Sequence, residues 1–573
     1  MSERPAEGVD LPGARLPSPG DRAFEPPGET PDLEGAYPRL NDAQVSSLAA
    51  LGQRIATRPG DALFREGDRD YGFFVVLDGT VASVEGYGTT WQRLISVHGR
   101  GRFLGELSLL TGEGSFYSAV ALDEGLVLAI PAARLREQIS ADTFLSDLVL
   151  RAYLLRRSLL IGLGAGLRVI GSRYSPDTRR VRDFAARNRV PARWLDLDAD
   201  PSADALLAQA GVAPQQTPLV IVYGRMLRNP SNAELAAAIG LPAPSGTTGE
   251  LDLIVVGAGP AGLSAAVYGA SEGLRVTVLD REAAGGQAGT SSRIENYLGF
   301  PAGISGAELA DRAMLQAQKF GARFAVPAQA SAIAAEDACY RVHLGDGTAL
   351  TGRWVVIASG ARYRRLEIPR LEYFEQMSVY YAASQAEALV CAGDPIVIVG
   401  GGNSAGQAAV FLSRHAAQVT LVVRDKDLGA RMSRYLVDQI TRLANVRVVG
   451  GAEVTELHGD RVLEAVTVDV IEADARQVIS ARALFVFIGA APATSWLGDL
   501  VELDDHGFVL TGSGASPRDD GRGAVSGRLP LETSRPGIFA VGDVRSGSAK
   551  RVAAAVGEGA MAIRLAFERA RPG

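Results

Sequence analysis

Residues 251–282 read LDLIVVGAGPAGLSAAVYGASEGLRVTVLDRE, and this stretch decides the fold of the C-terminal half of the chain. An apolar run is followed at once by Gly257, Gly259 and Gly262 in a G-x-G-x-x-G pattern, and then by an alanine-rich segment. This order predicts a buried strand, a tight turn and a helix whose N-terminus can bind a pyrophosphate. The next strand ends at Asp280, where a carboxylate can accept a hydrogen bond from a ribose hydroxyl.

A second signal of the same kind lies at residues 394–425, DPIVIVGGGNSAGQAAVFLSRHAAQVTLVVRD. Gly400, Gly402 and Ala405 form a G-x-G-x-x-A turn between an apolar strand and a helix. Arg424 takes the strand-end position that an acid takes in the first unit. An arginine there favours a 2′-phosphate, hence NADPH over NADH, and a solvated surface arginine is the alternative interpretation. Two such signals predict two dinucleotide sites.

Composition excludes several classes of function. The 573 residues suffice for several domains, and 58 basic against 65 acidic residues give a net charge of −7 without a long basic block, so we expect no nucleic-acid binding. The two cysteines, Cys339 and Cys391, and five scattered histidines indicate neither a disulfide scaffold nor a metal site. No signal peptide and no membrane-spanning run is recognisable, so we expect a cytoplasmic protein that does not bind membranes.

The chain ahead of residue 250 divides into regions by composition and periodicity. Residues 1–35 are rich in Pro, Gly and acidic residues, which predicts a disordered tail. Residues 36–160 alternate short apolar runs with glycine turns and end with helical periodicity, which predicts a small antiparallel β-structure closed by helices. Residues 165–241 alternate strand-like and helix-like segments, which predicts a small α/β unit, and residues 242–250 have linker composition.

Further motifs of residues 250–573 resemble those of the thioredoxin-reductase branch of the pyridine nucleotide–disulfide oxidoreductases. Gly285-Gly286-Gln287 and IENYLGFP (294–301) are similar to the family's flavin-contacting loops, and IASGARYRRLEIP (357–369) is similar to its hinge. FVFIGAAPAT (485–494) is similar to the return strand. TSRPGIFAVGDV (533–544), followed by KRVAAAVGEGAMA (550–562), is similar to the terminal FAD motif. The resemblance implies an FAD domain of residues 250–365 and 484–573, with an NADPH domain of residues 366–483 inserted.

The resemblance also assigns site residues. Asp543 would bind the ribitol of FAD, and the backbone N–H of Val552 would face the pyrimidine end of the flavin. Arg551 either adds a positive charge there or is a surface residue. The candidate FAD-binding residues are Gly257, Gly259, Pro260, Gly262, Asp280, Arg281, Gly286, Gln287, Asn296, Gly360, Asp543, Arg551 and Val552. The candidate NADPH-binding residues are Gly400, Gly402, Asn403, Ser404, Ala405 and Arg424.

The chain departs from the family at its redox-active C-x-x-C. The matching residues are Tyr381-Ala-Ala-Ser384, and Gln385 replaces the acid that normally follows. Thiolate exchange needs sulfur, so electrons cannot pass through an internal dithiol at this position. We therefore name no certain catalytic residue, and we expect Cys339 and Cys391 to be structural.

Residues 165–241 resemble a thioredoxin or glutaredoxin fold that has also lost its C-x-x-C. Ser175-Pro-Asp-Thr178 stands at the strand-to-helix turn that would hold this motif, and Thr217-Pro218 matches the family's cis-proline. The loss of both redox motifs indicates a domain that serves docking or architecture.

Residues 36–160 resemble the cyclic-nucleotide-binding module of catabolite-activator-type regulators, in RPGDALFREGD, FFVVLDGTV and GRGRFLGELSLLTGEGSFYSAVA. The resemblance assigns Glu106 to the ribose 2′-hydroxyl. The assigned pocket is Gly105, Glu106, Leu107, Ser108 and Tyr117. The family's phosphate-binding arginine is missing, because Phe116 and Tyr117 occupy its region. The pocket therefore either binds a cyclic nucleotide without that contact or is retired or reused, and no helix-turn-helix signal of a transcription factor follows.

The sequence predicts a multidomain protein with an N-terminal β-roll, a thioredoxin-like α/β domain and two Rossmann-like α/β domains. We expect a homodimeric, FAD-dependent oxidoreductase that takes hydride from NADPH. The electron acceptor stays open among oxygen, a quinone, an electron carrier and an external disulfide. The alternative is a nucleotide or redox sensor with little turnover.

Overall fold

Short apolar runs separated by glycine turns form the first part of the fold in the computed structural model. Its strands are β1 (Gln53–Thr57), β2 (Ala62–Phe64), β3 (Phe73–Asp78), β4 (Val81–Glu85), β5 (Arg93–His98), β6 (Phe103–Leu104), β7 (Ser118–Ala121) and β8 (Gly125–Ile130). Its helices are α1 (Asp42–Ala49), α2 (Ala132–Ala141) and α3 (Thr143–Leu163). The strands form two antiparallel sheets with the orders β1-β8-β3-β6 and β2-β7-β4-β5. This arrangement confirms the predicted β-structure closed by helices.

The structure describes residues 27–570 with internal gaps. The positions within this range that it does not describe are 33, 70, 90, 107–112, 201–202, 204–205, 209–210, 242–250, 292, 295, 337–338, 376–377, 382, 384, 461, 472–474 and 517–528. The chain divides into two compact units. These are residues 1–247 with 280–283 and 314–329, and residues 248–279 with 284–313 and 330–573.

The end of the predicted disordered tail runs beside β5 instead. The backbone N–H of Thr30 donates to the carbonyl of Val97 at 3.1 Å, and the N–H of Val97 donates to the Thr30 hydroxyl at 2.8 Å. The buried Arg102 donates to the carbonyl of Thr30 at 2.6 Å. These bonds satisfy polar groups of both segments, so composition alone placed the tail boundary too late. Residues 1–26 lie outside the described residues.

The small α/β region contains the elements that its sequence predicts. They are β9 (Leu167–Gly171), α4 (Pro176–Arg187), β10 (Ala192–Asp196), β11 (Leu219–Val222), β12 (Arg225–Arg228) and α5 (Asn232–Ile239). The sheet order is β10-β9-β11-β12, with β9 parallel to β10 and β11 antiparallel to both of its neighbours. The Thr217–Pro218 bond is cis.

The α/β region shares its core with the preceding β-structure. Phe116, which lies just before β7, is buried among the apolar side chains of the α/β core, including Leu167, Phe184 and Val220. The Tyr223 hydroxyl donates to the carbonyl of Gly114 at 3.0 Å. The two N-terminal regions are therefore joined by packing as well as by the chain.

The C-terminal half contains two strand–turn–helix units. Its strands are β13 (Leu251–Val256), β14 (Val276–Leu279), β15 (Arg323–Ala325), β16 (Ala330–Glu336), β17 (Cys339–Leu344), β18 (Ala349–Ile357), β19 (Ala361–Tyr363), β20 (Val379–Tyr380), β21 (Pro395–Val399), β22 (Gln418–Val423), β23 (Val446–Gly450), β24 (Ala452–His458), β25 (Ala465–Val470), β26 (Ala475–Ser480), β27 (Ala483–Val486), β28 (Ala490–Pro492) and β29 (Ile538–Ala540). Its helices are α6 (Pro260–Ser271), α7 (Gly306–Lys319), α8 (Leu371–Glu375), α9 (Gln385–Val390), α10 (Asn403–Leu412), α11 (Arg434–Ile440) and α12 (Val552–Ala570).

The two strand–turn–helix motifs of the C-terminal half belong to two separate sheets. The first follows the path β14-β13-β18-β17-β16, with β29 beside β18, and its strands β13, β14, β18 and β29 are parallel. The second is the parallel sheet β20-β27-β21-β22-β23, next in sequence to the antiparallel sheet β24-β25-β26. The chain enters the inserted domain, which contains the second sheet, after β19 and leaves it before β28. Strands β19 and β28 pair with each other.

The inserted domain ends later than the predicted boundary at residue 483. Strand β27 runs from Ala483 to Val486 and pairs with β21 in the middle of the second sheet. Its residues are buried in that domain because a central parallel strand is covered on both faces. The return to the first domain therefore follows β27.

Candidate functional site

The first glycine turn is a cradle that only glycines can form. Gly257 has φ +109°, and a Cβ atom there would lie 2.2 Å from the Ala358 carbonyl oxygen. A Cβ atom at Gly262 would lie 1.8 Å from the Gly257 oxygen. Gly259 precedes α6, and Pro260 is its first residue, where a missing N–H costs nothing. The turn thus presents the positive end of α6 beside closely packed backbone.

A second loop lies against this turn. Gly286 has φ +54°, and a Cβ atom there would lie 3.0 Å from the Cα atom of Gly259. The Gln287 side chain donates to the carbonyl of Ala361 in β19. Gly360 precedes that strand with φ +67°. The structure therefore brings the predicted residues Gly286, Gln287 and Gly360 to the same region as the first turn.

Asp280, Arg281 and Asn296 are placed differently from one another. Asp280 directly follows β14, and its Oδ1 accepts the backbone N–H groups of Glu282 at 3.0 Å and Ala283 at 3.2 Å. Arg281 is about two-fifths exposed and pairs with neighbouring Glu282 at 2.6 Å. Asn296 is exposed. Of the three, only Asp280 has the strand-end position that recognition of a ribose requires.

Asp543 is a half-buried carboxylate near the start of the last helix. It follows β29, and no residue in the described part of the chain donates a hydrogen bond to its side chain. Burial raises the pKa of Asp543, Lys550 lowers it and Glu558 raises it further. The site therefore suits a neutral hydroxyl donor. Helix α12 begins at Val552, as the resemblance requires.

Arg551 precedes α12 at the surface. Its side chain is exposed, and its Nη1 donates to the carbonyl of Lys550 at 3.0 Å. The structure thus leaves both interpretations of Arg551 open.

The second glycine turn has the same strict geometry. Gly400 has φ +145°, and a Cβ atom there would lie 2.4 Å from the Phe487 carbonyl oxygen. Gly402 caps α10, and the Ala405 methyl group is fully buried against the core. The side-chain oxygen Oδ1 of Asn403 accepts the backbone N–H of Ser433 at 2.7 Å, so this side chain helps to fix the start of α11. Ser404 is exposed beside it.

Arg424 has a carboxylate partner that sequence reasoning missed. It directly follows β22 and is exposed over 79% of its side chain. Its Nε lies 2.5 Å from Oε1 of Glu453 on β24. The two residues are 29 positions apart, so no local pattern indicates the contact. It follows from the sheet order, because β22 pairs with β23 and β24 comes directly after β23 in the chain.

Tyr381, which the sequence resemblance matches to the first position of the family's C-x-x-C, belongs to a polar and aromatic cluster. Its hydroxyl donates to Glu375, which also accepts from Arg365 at 2.7 Å. Its ring stacks on Tyr363 of β19, with ring centroids 6.2 Å apart. Burial and Glu375 raise the pKa of Tyr381, so the phenol stays protonated. Ser384 lies outside the described residues.

Neither cysteine is placed for thiol exchange with the other. Cys391 is buried in the core of the second sheet, and burial raises the pKa of its thiol to about 11. Cys339 lies on β17 in the first sheet. A buried, protonated thiol is a poor nucleophile, which fits the structural role expected of Cys391 from the sequence.

The N-terminal pocket holds a second contact that the sequence did not reveal. Glu106 is fully buried, and its Oε1 accepts from Nη1 of Arg156 on α3 at 2.8 Å. Tyr117 is buried, and its pKa is raised by burial and then by Glu106. Gly105 has φ +95°, and a Cβ atom there would lie 2.4 Å from the carbonyl oxygen of Gly72. Leu107 and Ser108 lie outside the described residues.

A pair of arginines inside the apolar stretch LLRRSLL was the available signal for this contact. Arg157, next to Arg156, pairs with the buried Glu113 at 2.8 Å. Charged residues are rarely buried without partners, so two arginines in a buried helix predict two acids somewhere nearby.

Residues 251–559, more than half of the chain, match the family model described as pyridine nucleotide-disulphide oxidoreductase. The chain belongs to this family. Residues 54–142 of this oxidoreductase match the model of the cyclic nucleotide-binding domain. The oxidoreductase is therefore an FAD-dependent NAD(P)H enzyme of the thioredoxin-reductase type with an additional N-terminal domain, as the sequence predicts.

Individual relatives match the C-terminal half. The oxidoreductase is 31% identical over 326 residues to a 34.2 kDa protein in a rubredoxin operon of Clostridium pasteurianum, covering 55% of this chain and 96% of the relative. It is 32% identical over 317 residues to thioredoxin reductase of Treponema pallidum, covering 55% and 96%. The crystal structure of T. acidophilum thioredoxin reductase matches with a TM-score of 0.51 and 29% identity, covering 56% of this chain and 99% of that one.

The residues present fit the family's cofactors, FAD and NADPH. Each glycine turn offers a backbone cradle that a Cβ atom would fill, at Gly257 and at Gly400. Asp543 offers a half-buried acceptor to which no described residue donates. Among the helices that the structure describes, none combines the length and the apolar character needed to cross a membrane.

Proposed function

We propose that this oxidoreductase takes hydride from NADPH onto FAD and delivers the electrons to an acceptor that is not a disulfide of its own chain. One observation carries the proposal: Tyr381, which the resemblance matches to the first position of the family's redox-active pair, bonds Glu375 and stacks on Tyr363. The chain's two cysteines lie elsewhere: Cys339 is on a strand of the first sheet, and Cys391 is in the turn before β21, buried in the core of the second sheet.

The chain's own residues would bind and orient the cofactors. Gly257 and Gly262 let α6 direct its N-terminus toward the FAD pyrophosphate, and Asp543 would accept from a ribitol hydroxyl. The N-terminus of α12 at Val552 would favour negative charge on the flavin. Gly400 and Gly402 would hold the NADPH pyrophosphate in the same way, with Arg424 toward the 2′-phosphate. When bound, nicotinamide supplies hydride and flavin accepts and releases electrons.

An anaerobic reductive titration tests the proposal. One equivalent of NADPH per FAD is expected to bleach the flavin completely, because no dithiol accepts a second electron pair. A Cys339→Ala/Cys391→Ala variant is expected to reach the same endpoint at the same rate. Consumption of two equivalents per FAD, or loss of reduction in the cysteine-free variant, contradicts the proposal.

The acceptor is then identified by reoxidation of the reduced protein. The panel consists of oxygen, a quinone, a one-electron carrier and external disulfides. A rubredoxin belongs in it because one relative is named for a rubredoxin operon. The acceptor that restores the flavin absorbance fastest, at equal concentration, is the best candidate.

A second candidate function is a nucleotide or redox sensor with little turnover. The match of residues 54–142 to the cyclic nucleotide-binding domain favours it. Flavin reduction by NADPH that takes many minutes, and no efficient acceptor in the panel, would support the sensor.

We also infer that residues 165–241 form a thioredoxin-like domain without C-x-x-C. The sheet order β10-β9-β11-β12 and its strand directions support this, as does the position of Ser175 at the N-cap of α4 directly after the first strand and its turn. The homodimeric state and the cytoplasmic location remain predictions from the resemblance and the composition.

A further inference from the structure

The carboxyl end of β22 carries charges that alternate in sign. Arg424 is paired with Glu453 at 2.5 Å, and the next residue, Asp425, is paired with Arg431 at 3.2 Å. Asp425 Oδ2 lies 3.8 Å from the position of a Cβ atom on Gly401, inside the glycine turn. A ligand group that reaches this end of the strand therefore meets carboxylates as well as guanidinium groups.

Two dinucleotides that differ by one charged group would interact differently with this arrangement. A 2′-phosphate needs the guanidinium of Arg424, and it is repelled by the carboxylate of Glu453. To bind the phosphate, Arg424 has to leave Glu453 or share its hydrogen bonds. A 2′-hydroxyl carries no charge and meets no such competition. Selectivity between ligands can arise from a repulsive group as well as from an attractive one.

We propose that Glu453 is a specificity-determining residue that weakens the binding of NADPH relative to NADH by competing for Arg424. The inference rests on the proposed function, in which Arg424 faces the 2′-phosphate. The carboxylate of Glu453 acts through Arg424. The preference for NADPH over NADH is therefore smaller than it would be if Arg424 had no carboxylate partner.

The test compares the dissociation constants of NADP⁺ and NAD⁺ by isothermal titration calorimetry on the FAD-loaded full chain, without turnover. Glu453→Gln keeps the shape of the side chain and removes its charge. We expect it to tighten NADP⁺ binding by up to about fivefold, the upper end of the range for an exposed ion pair, and to leave NAD⁺ binding unchanged. The gain should shrink at high ionic strength.

Glu456→Gln is the matched control. Glu456 lies on the same strand, has the same exposed fraction of 43% as Glu453 and also forms an ion pair, with Arg476 at 2.7 Å. We expect both dissociation constants to stay as in the unaltered chain. An equal gain for NADP⁺ in this control would show a general effect of net charge and overturn the proposal.

Arg424→Gln separates the two levels of the inference. It is expected to weaken NADP⁺ binding selectively, and adding Glu453→Gln to it is expected to tighten NADP⁺ binding less than Glu453→Gln does in the unaltered chain. If Arg424→Gln leaves the preference unchanged, the role of Arg424 in the proposed function fails, and this inference fails with it. If Arg424→Gln weakens NADP⁺ binding and Glu453→Gln alone does not tighten it, only the inference about Glu453 is overturned.

Discussion

The carboxylate of Asp543 shows how a single residue reports on a binding site. It is half-buried and accepts no hydrogen bond from a described residue, an arrangement that costs free energy unless a ligand or water donates to it. We expect Asp543→Asn to weaken FAD binding about tenfold or more, because an amide is a poorer acceptor than a carboxylate. The ratio of flavin to protein after gel filtration measures the loss.

Asp505→Asn serves as the control for this variant, because Asp505 is an exposed residue of the same domain. Its flavin content should equal that of the unaltered chain. Full retention of FAD by Asp543→Asn would contradict the assignment of Asp543 to the flavin site.

Glu66 in the N-terminal β-structure predicts a dependence of stability on pH. Burial raises its pKa from 4.5 to about 7, with Gly86 lowering it and Glu85 raising it. The folded state therefore holds a proton that the unfolded state releases, and stability is lost as pH rises from about 4.5 through about 7. Glu66→Gln resembles the protonated form. We expect it to be more stable than the unaltered chain at pH 8, by up to about 3 kcal/mol, and equally stable near pH 4.5.

Thermal unfolding at the two pH values measures this difference. Glu124→Gln, at an exposed turn position, is the control and should show no change with pH. A Glu66→Gln variant that is destabilised at pH 8 would mean that the ionised carboxylate is needed there.

At the scale of elements, two glycines of α12 have opposite roles. A Cβ atom at Gly559 would lie 2.2 Å from the Ala261 carbonyl oxygen of α6, whereas a Cβ atom at Gly557 meets nothing within 4 Å. We expect Gly557→Ala to stabilise the protein by about 0.5–1 kcal/mol through helix propensity. Gly559→Ala should destabilise it by about 1–3 kcal/mol through overpacking.

The melting temperatures of the two variants measure these effects, and each variant is the other's control. Two equal shifts of the same sign would show that α6 and α12 do not pack as closely as the structure indicates.

Local patterns predicted most of the elements, because strand, turn and helix signals act over a few residues. The two glycine turns, for example, lie where the sequence places them, at Gly257 and Gly400. The contacts that escaped prediction are long-range: Glu453 reaches Arg424, and Arg156 reaches Glu106. Charge pairing between distant segments depends on sheet order, which a single sequence does not encode locally. The end of the inserted domain was misplaced for a similar reason, since Ala483 of β27 pairs with Ile396 of β21, 87 positions earlier.

At the scale of the whole molecule, the N-terminal domain is expected not to bind cyclic nucleotides tightly. The family's phosphate-binding arginine is absent, and Arg156 already holds one carboxylate oxygen of Glu106. Removing a charge-assisted phosphate contact leaves mainly neutral interactions. Calorimetric titration of the intact protein with cyclic AMP and cyclic GMP should show no saturable heat at micromolar concentrations, and the rate of flavin reduction should not change.

A cyclic-nucleotide-binding regulator titrated under the same conditions provides the positive control. Saturable binding by the intact protein, with a stoichiometry of one, would show that another residue supplies the phosphate contact.

The burial of Phe116 among the side chains of the α/β region has a practical consequence for anyone who divides this protein. A fragment that stops before residue 165 exposes a large aromatic ring to water, and a fragment that starts there contains a hole of the size of that ring. Expression of either piece alone should give poorly soluble material, so the β-structure and the α/β region should be kept together on one chain.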